Sequence, residues 1–431
     1  MQILNDTVAL ALEALSGLGA QICSARAVKS CRNEFNVDGG RFSLFRTTLD
    51  SALTLQAIKD HKRGLVSGNS FDEKAVRLAA ADCLASAEAG QEDTAWDMAD
   101  TGGGDFAQDP YEPDMDRLFA RTREMLEEIK QDYPKVIVEQ LVVSHVQADS
   151  VYENSKGVRY TAKSGWYEVD IMFSGHEGDK SSSFNGSGFL ADSLEKPFLE
   201  LAGLRRLLAD AQNQIHTTPA SGTGEGAVVF TPECLGSILY ELAGNYVSDA
   251  VLIDGTSQWK DKLGRQVADP SLTLRLAPGD GRIISGEKYT EEGYRSEDFA
   301  LIEKGVLKQF LLSDYAARKT GHTRAPNSSF ALVVEPGDLP LENIIASIEK
   351  GLLVGRYSGG AAGTNGEFSG VAKNAFMIEG GKVTHAVSET MIAGNLAGML
   401  DQIIGISRET VGDGTSVLPW LAVRGITISG Q

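Results

Sequence analysis

The stretch Thr231–Asp249, TPECLGSILYELAGNYVSD, decides how the rest of the chain is interpreted. It predicts one helix: Thr231 can cap the first turn, Pro232 suits the first helical position, and Glu233 favours the positive end of the helix dipole. Apolar side chains recur along it at helical spacing, namely Leu235, Ile238, Leu239, Leu242 and Tyr246. One face of this helix is therefore expected to pack against a core.

Glu241 is the only carboxylate between Glu233 and Asp249, and it shares a second helix face with Ser237 and Asn245. A carboxylate beside an apolar stripe is either a solvated surface group or part of a functional site. The helix pattern alone favours the surface interpretation, because charged side chains are rarely buried without a partner.

A Gly-, Ser-, Thr- and Pro-rich stretch, TTPASGTGEG at residues 217–226, is the best candidate for a domain boundary. We therefore expect an N-terminal domain over residues 1–220 and a C-terminal domain over residues 221–431. Runs of strands and runs of helices, without strict alternation, favour the α+β class. The C-terminal domain is expected to be rich in β-hairpins.

Local patterns in the N-terminal half predict individual elements. Strand-like runs lie at residues 20–25, 34–37, 42–45, 52–58, 136–143, 158–162 and 166–173, with a hairpin turn at Asp38-Gly39-Gly40. Helices are predicted at 72–87, with Ser70 as the cap, at 114–131 and at 194–214. Residues 97–115 contain several Gly and Pro residues and many acidic side chains, and their apolar residues show no helical or strand periodicity. They are therefore expected to form a loop.

Several segments of the C-terminal half resemble the TldD/PmbA family of peptidases, whose PmbA branch is also called TldE. The similar segments are Lys262–Val267 (KLGRQV), Ala300–Leu312 (ALIEKGVLKQFLL), Tyr315–Lys319 (YAARK), Met391–Asn395 (MIAGN) and Ala422–Gly430. The resemblance covers nearly the whole chain and is strongest from residue 225 onward. It implies an N-terminal domain of sheet and helices and a β-rich C-terminal domain that carries the signature helix.

The metal motif of the family is altered in this chain. In the TldD branch the signature helix carries His-Glu-x-x-x-His, and a Cys in a Gly-rich region is a further ligand. Here the helix frame reads Tyr240-Glu241-Leu242-Ala243-Gly244-Asn245, and Arg356, Tyr357 or Ser358 occupies the neighbourhood of the Cys. Phenol and carboxamide groups are poor zinc ligands. The resemblance therefore implies the PmbA/TldE branch, with no metal site and no cofactor.

The resemblance also implies a candidate site between the signature helix and the Gly-rich stretch 355–370, GRYSGGAAGTNGEFSG. Glu241 is the candidate catalytic residue. The candidate substrate-binding residues are Tyr240, Asn245, Arg356, Tyr357, Ser358, Gly359 and Gly360. A carboxylate at the floor of a cleft needs a partner, and we expect the Arg356 guanidinium to pair with Glu241 in place of the missing cation.

Composition excludes several function classes. The formal net charge of −19 argues against direct nucleic-acid binding, which needs a basic footprint. No apolar run approaches the length that spans a membrane, so no membrane partner is expected. The four cysteines are scattered without a CxxC pair, which favours reduced thiols and a cytoplasmic location.

Three functional interpretations remain open. The first is a PmbA/TldE-type subunit of a cytoplasmic peptidase system, which binds an extended peptide or unfolded segment and associates with a TldD-type subunit or with itself. The second is an independent hydrolase that uses Glu241 as a general base. A lone carboxylate without an electrophile rarely suffices for amide hydrolysis. The third is a non-enzymatic adaptor that binds a peptide or protein.

Overall fold

The structure is a computed structural model that describes residues 1–430. It contains two β-sheets. The first sheet uses strands up to Ala191, and the second uses strands from Thr218 onward. The α+β class is confirmed. The division into domains at residues 220 and 221 stays a prediction, and Gln431, the last residue of the predicted second domain, lies outside the described residues.

The first sheet is built on a long antiparallel hairpin. Its strands are β1 (Ile22–Asp38), β2 (Arg41–Lys59), β3 (Lys62–Gly68), β4 (Gly104–Gln108), β5 (Val136–Asn154), β6 (Arg159–Glu177), β7 (Lys180–Ser181) and β8 (Asn185–Ala191). Their order is β3-β2-β1-β5-β6-β4, with β7 and β8 also paired to β6. The predicted turn is confirmed: Asp38 pairs with Arg41, and Gly39 and Gly40 adopt φ of 53° and 74°. The runs expected at 20–25 and 34–37 form one strand, β1.

Four helices cover one face of this sheet: α1 (Gln2–Gly17), α2 (Glu73–Ala89), α3 (Met115–Asp132) and α4 (Leu204–Asn213). Odd-numbered residues of β1, β5 and β6, such as Ala25, Val151 and Val169, face these helices because side chains alternate along a strand. The even-numbered residues form the opposite face of the sheet.

One predicted helix cap and one predicted helix in this half are wrong. The cap of α2 is Asp72, whose carboxylate accepts hydrogen bonds from the amides of Lys74 and Ala75, whereas the Ser70 hydroxyl accepts from the Asp72 amide. The helix expected at 194–214 is reduced to a 3-10 turn at Phe198–Glu200 and to α4. Ala202 and Gly203 lie between the 3-10 turn and α4, and both adopt a positive φ, which a continuous helix does not allow.

The second sheet forms the C-terminal half. Its strands are β9 (Thr218–Pro219), β10 (Thr223–Phe230), β11 (Leu274–Leu276), β12 (Phe299–Glu303), β13 (Val306–Leu307), β14 (Leu332–Val334), β15 (Lys350–Gly359), β16 (Glu367–Glu379), β17 (Lys382–Ser388), β18 (Met391–Asn395), β19 (Ile403–Gly412) and β20 (Val417–Ser429). Their order is β13-β12-β11-β14-β20-β10-β15-β16-β17-β9; β18 pairs with β16 and β20, and β19 pairs with β20. The helices are α5 (Pro232–Tyr246), α6 (Asp249–Ile253), α7 (Asp314–Thr320) and α8 (Leu341–Ala346), and a 3-10 turn lies at Gly398–Gln402.

Helix α5 packs on this sheet with the predicted apolar face. All five predicted core residues of the helix are buried, and they belong to the largest hydrophobic cluster of the C-terminal half. The single helix expected to reach Asp249 ends at Tyr246, and Asp249 begins the separate helix α6. The Thr231 side chain makes no capping hydrogen bond to α5, and its hydroxyl donates to the carbonyl of Gly355.

The stretch expected to be a loop at 97–115 contains strand β4, which pairs in parallel with β6. The residues just before it contact the C-terminal half: Trp96 stacks on Tyr315 of α7 with ring centroids 3.9 Å apart, and Asp97 forms an ion pair with Arg318 at 3.0 Å. This segment therefore connects the N-terminal half to helix α7 of the C-terminal half through side-chain contacts. No helix among residues 1–430 has the length and apolarity needed to cross a membrane.

Candidate functional site

Helix α5 and the Gly-rich stretch 355–370 lie side by side. The carboxylate of Glu241 is half-buried, and its Oε2 accepts a hydrogen bond from the backbone amide of Ala362 at 3.4 Å. Strand β10 runs directly into α5, and the Thr231 amide at this junction donates to the carbonyl of Val354 in β15. The start of the helix is thus fixed to the strand that leads into the Gly-rich stretch.

The expected pair of Glu241 and Arg356 is wrong. The guanidinium of Arg356 lies 4.6 Å from the centre of the Phe184 ring and donates to the Ser183 hydroxyl at 3.4 Å. Both neighbours belong to the N-terminal half. Burial lowers the pKa of Arg356, and no carboxylate among residues 1–430 forms an ion pair with it.

Tyr357 takes the position that Arg356 was expected to hold. Its ring packs against the same hydrophobic cluster as α5, and burial followed by the negative charge of Glu241 raises its pKa. The physical reason is that the alternation of side chains between the two faces of β15 is reversed part-way along the strand. Val354 faces the cluster, so strict alternation would place Arg356 there. Opposite Gly355, Asn374 adopts φ of 48°, and beyond that point Tyr357 and its partner Ala372 face the cluster.

Tyr240 and Asn245 flank Glu241 on the helix. Tyr240 is 59% exposed, and its ring lies 5.0 Å from that of Phe330, which is also exposed. Asn245 is half-buried. Phe330 is a neighbour that the sequence analysis missed, because it lies in an irregular segment with no motif and reaches α5 only through the tertiary fold.

The Gly-rich stretch fits closely around two tyrosines. A Cβ at Gly359 would lie 2.1 Å from Tyr357 Oη, and a Cβ at Gly366 would lie 1.8 Å from Tyr246 Oη. Gly366 also adopts φ of 79°, so only glycine suits that position without strain. Ser358, Gly359 and Gly360 are exposed at the end of β15.

The end of β15 has one unpaired edge. Residues Gly351–Val354 pair in parallel with β10, but β10 ends at Phe230 where α5 begins. From Arg356 to Gly359 the strand pairs only with β16 on its other side. This segment therefore has no neighbouring strand beside α5, where the Tyr357 backbone meets the buried Cys234 and the exposed residues Ser358 and Gly359 form the open part of the edge.

The residues at the family's metal positions do not fit a zinc ion. Tyr240 and Asn245 supply a phenol and a carboxamide, and the segment Arg356–Ser358 supplies no thiol or imidazole. The nearby Cys234 is buried in α5, and burial raises its pKa to about 12, which disfavours the thiolate that binds metals. Among residues 1–430 no group of three or more His, Cys, Asp or Glu side chains is placed to share a metal ion.

Comparison with known proteins finds a family match in the C-terminal half. Residues 223–430 match the family model described as the PmbA/TldA metallopeptidase C-terminal domain. This half of the chain is similar to members of the TldD/PmbA family. The matched region begins at β10 and includes α5 and the Gly-rich stretch, so the candidate site lies within it.

Relatives of the TldD/PmbA family share modest identity with this chain. A metalloprotease from Methanothermobacter thermautotrophicus is 28% identical over 54% of this chain and 52% of the relative. The metalloprotease PmbA of Escherichia coli O157:H7 is 28% identical over 47% of this chain and 46% of PmbA. The alignments thus span about half the length of these curated relatives.

The fold is that of a solved TldE. The crystal structure of TldE from Thermococcus kodakarensis superposes with a TM-score of 0.85 at 21% identity, covering 99% of this chain and all of that one. At this identity the likeness concerns the fold alone.

Proposed function

We propose that this chain is a PmbA/TldE-type subunit of a TldD/TldE-type peptidase system in the cytoplasm, and that it binds an extended peptide without a catalytic metal of its own. The observation that carries the proposal is the unpaired edge of Arg356–Gly359 beside Glu241. A peptide can add to such an edge as a further strand, with main-chain hydrogen bonds supplying affinity.

The side chains around this edge have distinct roles in the proposal. Tyr240 and Phe330 form an exposed aromatic pair that can pack on a side chain of the peptide. The small residues Ser358, Gly359 and Gly360 let a second backbone approach the strand closely. Glu241 supplies an acceptor for a peptide N–H or a basic side chain, and Asn245 supplies an amide. The Arg356 guanidinium faces the Ser183–Phe184 segment, so in this proposal Arg356 contributes its backbone to the edge, and a direct role of its side chain in binding stays a prediction.

We propose that the chain binds no catalytic metal because of the chemistry of the side chains at the family's metal positions. Both helix positions and the loop position carry groups that bind zinc weakly, and Glu241 alone cannot polarise a peptide carbonyl. Amide hydrolysis would then need the metal of a TldD-type partner. The proposed assembly is a dimer with such a partner or with a second copy of this chain.

Peptide binding tests the proposal directly. A fluorescein-labelled Val/Thr-rich decapeptide should bind to the purified chain, and a twin peptide with N-methyl groups at alternate residues should not bind. N-methylation removes the N–H groups that pair with a strand edge while keeping the side chains. Equal binding of the two peptides would exclude strand addition.

Activity and metal content separate the alternatives. The isolated chain should hold far less than one zinc per chain by elemental analysis and should leave the decapeptide intact, while addition of a TldD-type subunit should allow cleavage. Chelator-insensitive cleavage by the isolated chain, lost in Glu241→Gln, would support the independent hydrolase. Peptide binding without cleavage in any combination with a TldD-type subunit would support the adaptor.

A further inference from the structure

The outer edge of β2 is open over the first half of the strand. Strand β3 pairs with β2 only from Leu53 to Lys59, whereas β2 extends back to Arg41 beside β1. The other side of β1 is occupied by β5. The segment Arg41–Ala52 therefore has a neighbouring strand on one side only, and its outward N–H and C=O groups face no other strand among residues 1–430.

Large apolar side chains are exposed along this edge. Leu49 is 76% exposed and Phe45 is 58% exposed. The Phe45 ring stacks on Phe35 of β1 with centroids 5.1 Å apart, and the exposed rings of Phe42 and Phe119 of α3 lie 4.8 Å apart. These side chains form one apolar patch beside the open backbone, and such a patch is typical of an interaction surface.

The features that usually protect a strand edge are few in this segment. Natural edge strands are often short or carry Lys or Pro. The segment Arg41–Ala52 contains neither residue type, and the charge in its middle, Arg46, forms an ion pair with Glu34 of the same hairpin at 2.7 Å. Its aromatic and β-branched residues instead favour a strand conformation. The edge is therefore suited to pairing with another strand.

The segment is complementary to itself in the antiparallel direction. Residues directly opposite each other in antiparallel strands lie on the same face of a sheet, and a two-fold axis through Thr47 satisfies this condition. This axis places Phe45 of each copy opposite Leu49 of the other copy. On the other face it places Arg46 diagonal to Asp50 of the second copy, within reach of a long side chain. Asp50 is exposed and forms no ion pair with another residue in 1–430.

We infer that a second copy of this chain binds at this edge, so that the β2 strands of the two copies pair antiparallel around Thr47 and join the two first sheets. Main-chain hydrogen bonds hold the strands together, and the contacts of Phe45 with Leu49 cover the exposed apolar patch. A second copy fits better than an unrelated protein, because the two-fold axis makes each favourable contact twice. The inference rests on the self-associated form of the dimer in the proposed function, and it does not depend on peptide binding at the Glu241 site.

The mass of the purified full chain in solution tests the inference. Sedimentation equilibrium at micromolar concentrations should give twice the mass of one chain. Leu49→Lys places a charge opposite Phe45 of the second copy, so it should weaken dimerisation at least about tenfold, while the Tm of the exposed variant stays unchanged. Leu78→Lys on α2 is the matched control, because Leu78 is 60% exposed, and it should leave the mass unchanged. A monomeric wild-type chain, or a dimer that survives Leu49→Lys, would overturn the inference.

A cross-link tests the position of the axis. In a Cys31→Ser background, which removes the half-exposed thiol of β1, Thr47→Cys should form a disulfide between two copies on oxidation with copper phenanthroline. Leu78→Cys in the same background should not form one. Absence of the Thr47→Cys cross-link in a chain that is dimeric would overturn the pairing around Thr47.

Hydrogen exchange distinguishes the occupants of the edge. Amides of residues 44–50 should exchange slowly in the wild-type dimer and rapidly in Leu49→Lys. If the chain stayed monomeric and only a TldD-type subunit protected these amides, that subunit would be the occupant and the inference would be wrong. Failure of the labelled decapeptide to bind to an intact dimer would count against the proposed function alone.

Discussion

The carboxylate of Glu241 accepts a hydrogen bond from the backbone amide of Ala362, with 3.4 Å between nitrogen and oxygen. This distance is long for an N–H···O bond, and the donor is neutral. No cationic side chain among residues 1–430 forms an ion pair with the half-buried Glu241. The cation expected to balance it, Arg356, lies against Phe184 instead.

Glu241→Gln should change the free energy of unfolding by no more than about 0.5 kcal/mol, because glutamine keeps an acceptor for the Ala362 amide and no ion pair is lost. Urea unfolding at neutral pH measures this change. Glu34→Gln is the matched control: Glu34 is 3% exposed and forms an ion pair with Arg46 at 2.7 Å, so its loss should cost about 1 to 3 kcal/mol. Similar costs for both variants would mean that Glu241 has a charged partner.

Arg356 should be coupled to Phe184 and uncoupled from Glu241. In a double-mutant cycle, Arg356→Met with Phe184→Leu should give an interaction energy of about 0.5 to 1 kcal/mol, the usual size of a cation–π contact. The same cycle with Glu241→Gln should give about zero. Unfolding free energies of the single and double variants provide both values. If the interaction energy of Arg356 with Glu241 were larger than that with Phe184, the ion pair predicted from the sequence would be present in solution.

The sequence predicted the elements that depend on local patterns. The core face of α5 followed from helical spacing, and the hairpin turn at Asp38–Arg41 followed from its two glycines. Strand β4 was missed because its partner, β6, lies far along the chain and pairs with it in parallel. Its flanking Gly102–Gly104 is typical of loops.

The candidate site was predictable only in part. The resemblance placed Glu241 near the Gly-rich stretch, but it could not decide which side chain of β15 faces the helix. That choice depends on the left-handed conformation of Asn374 on the neighbouring strand, which reverses the alternation after Gly355. The roles of Glu241, Tyr240 and Asn245 in binding stay predictions. No sequence motif indicated that Phe330 lies beside Tyr240.

Asp97→Asn should destabilise the chain at neutral pH by about 1 to 2 kcal/mol, because the carboxylate joins Lys156 of the N-terminal half to Arg318 of α7. Burial alone would raise the pKa of Asp97, but hydrogen bonds from Lys156 and the Met98 amide and the charge of Arg318 lower it overall. Asp100→Asn, at an exposed position nearby, should have little effect.

The same carboxylate predicts a pH dependence. A group whose pKa is lower in the folded state contributes stability above its unfolded pKa, near 3.9 for Asp, and loses it as pH falls through the folded pKa. The wild-type chain should therefore lose stability below about pH 4 more steeply than Asp97→Asn. Thermal unfolding at several acidic pH values measures the two slopes, and parallel curves would show that Asp97 is not stabilised in the folded state.

Gly366→Ala should be among the most destabilising changes in the Gly-rich stretch. Gly366 adopts φ of 79°, which disfavours any other residue, and a Cβ there would lie 1.8 Å from Tyr246 Oη at the end of α5. Strain and overpacking together should cost at least about 2 kcal/mol in unfolding free energy. Gly360→Ala is the control, because a Cβ at Gly360 meets nothing within 4 Å, and it should cost at most about 0.5 kcal/mol.

The two causes at Gly366 can be separated by a second substitution. Tyr246→Phe removes the Oη that the new methyl group would meet, and the next ring atom, Cζ, lies 3.0 Å from the Cβ position. In the Gly366→Ala background, Tyr246→Phe should therefore recover about 1 kcal/mol, while the cost of the positive φ remains. Urea unfolding of the two single variants and the double variant measures the recovery. If the double variant lost as much stability as the sum of the single variants, the close contact between the loop and the end of α5 would be absent in solution.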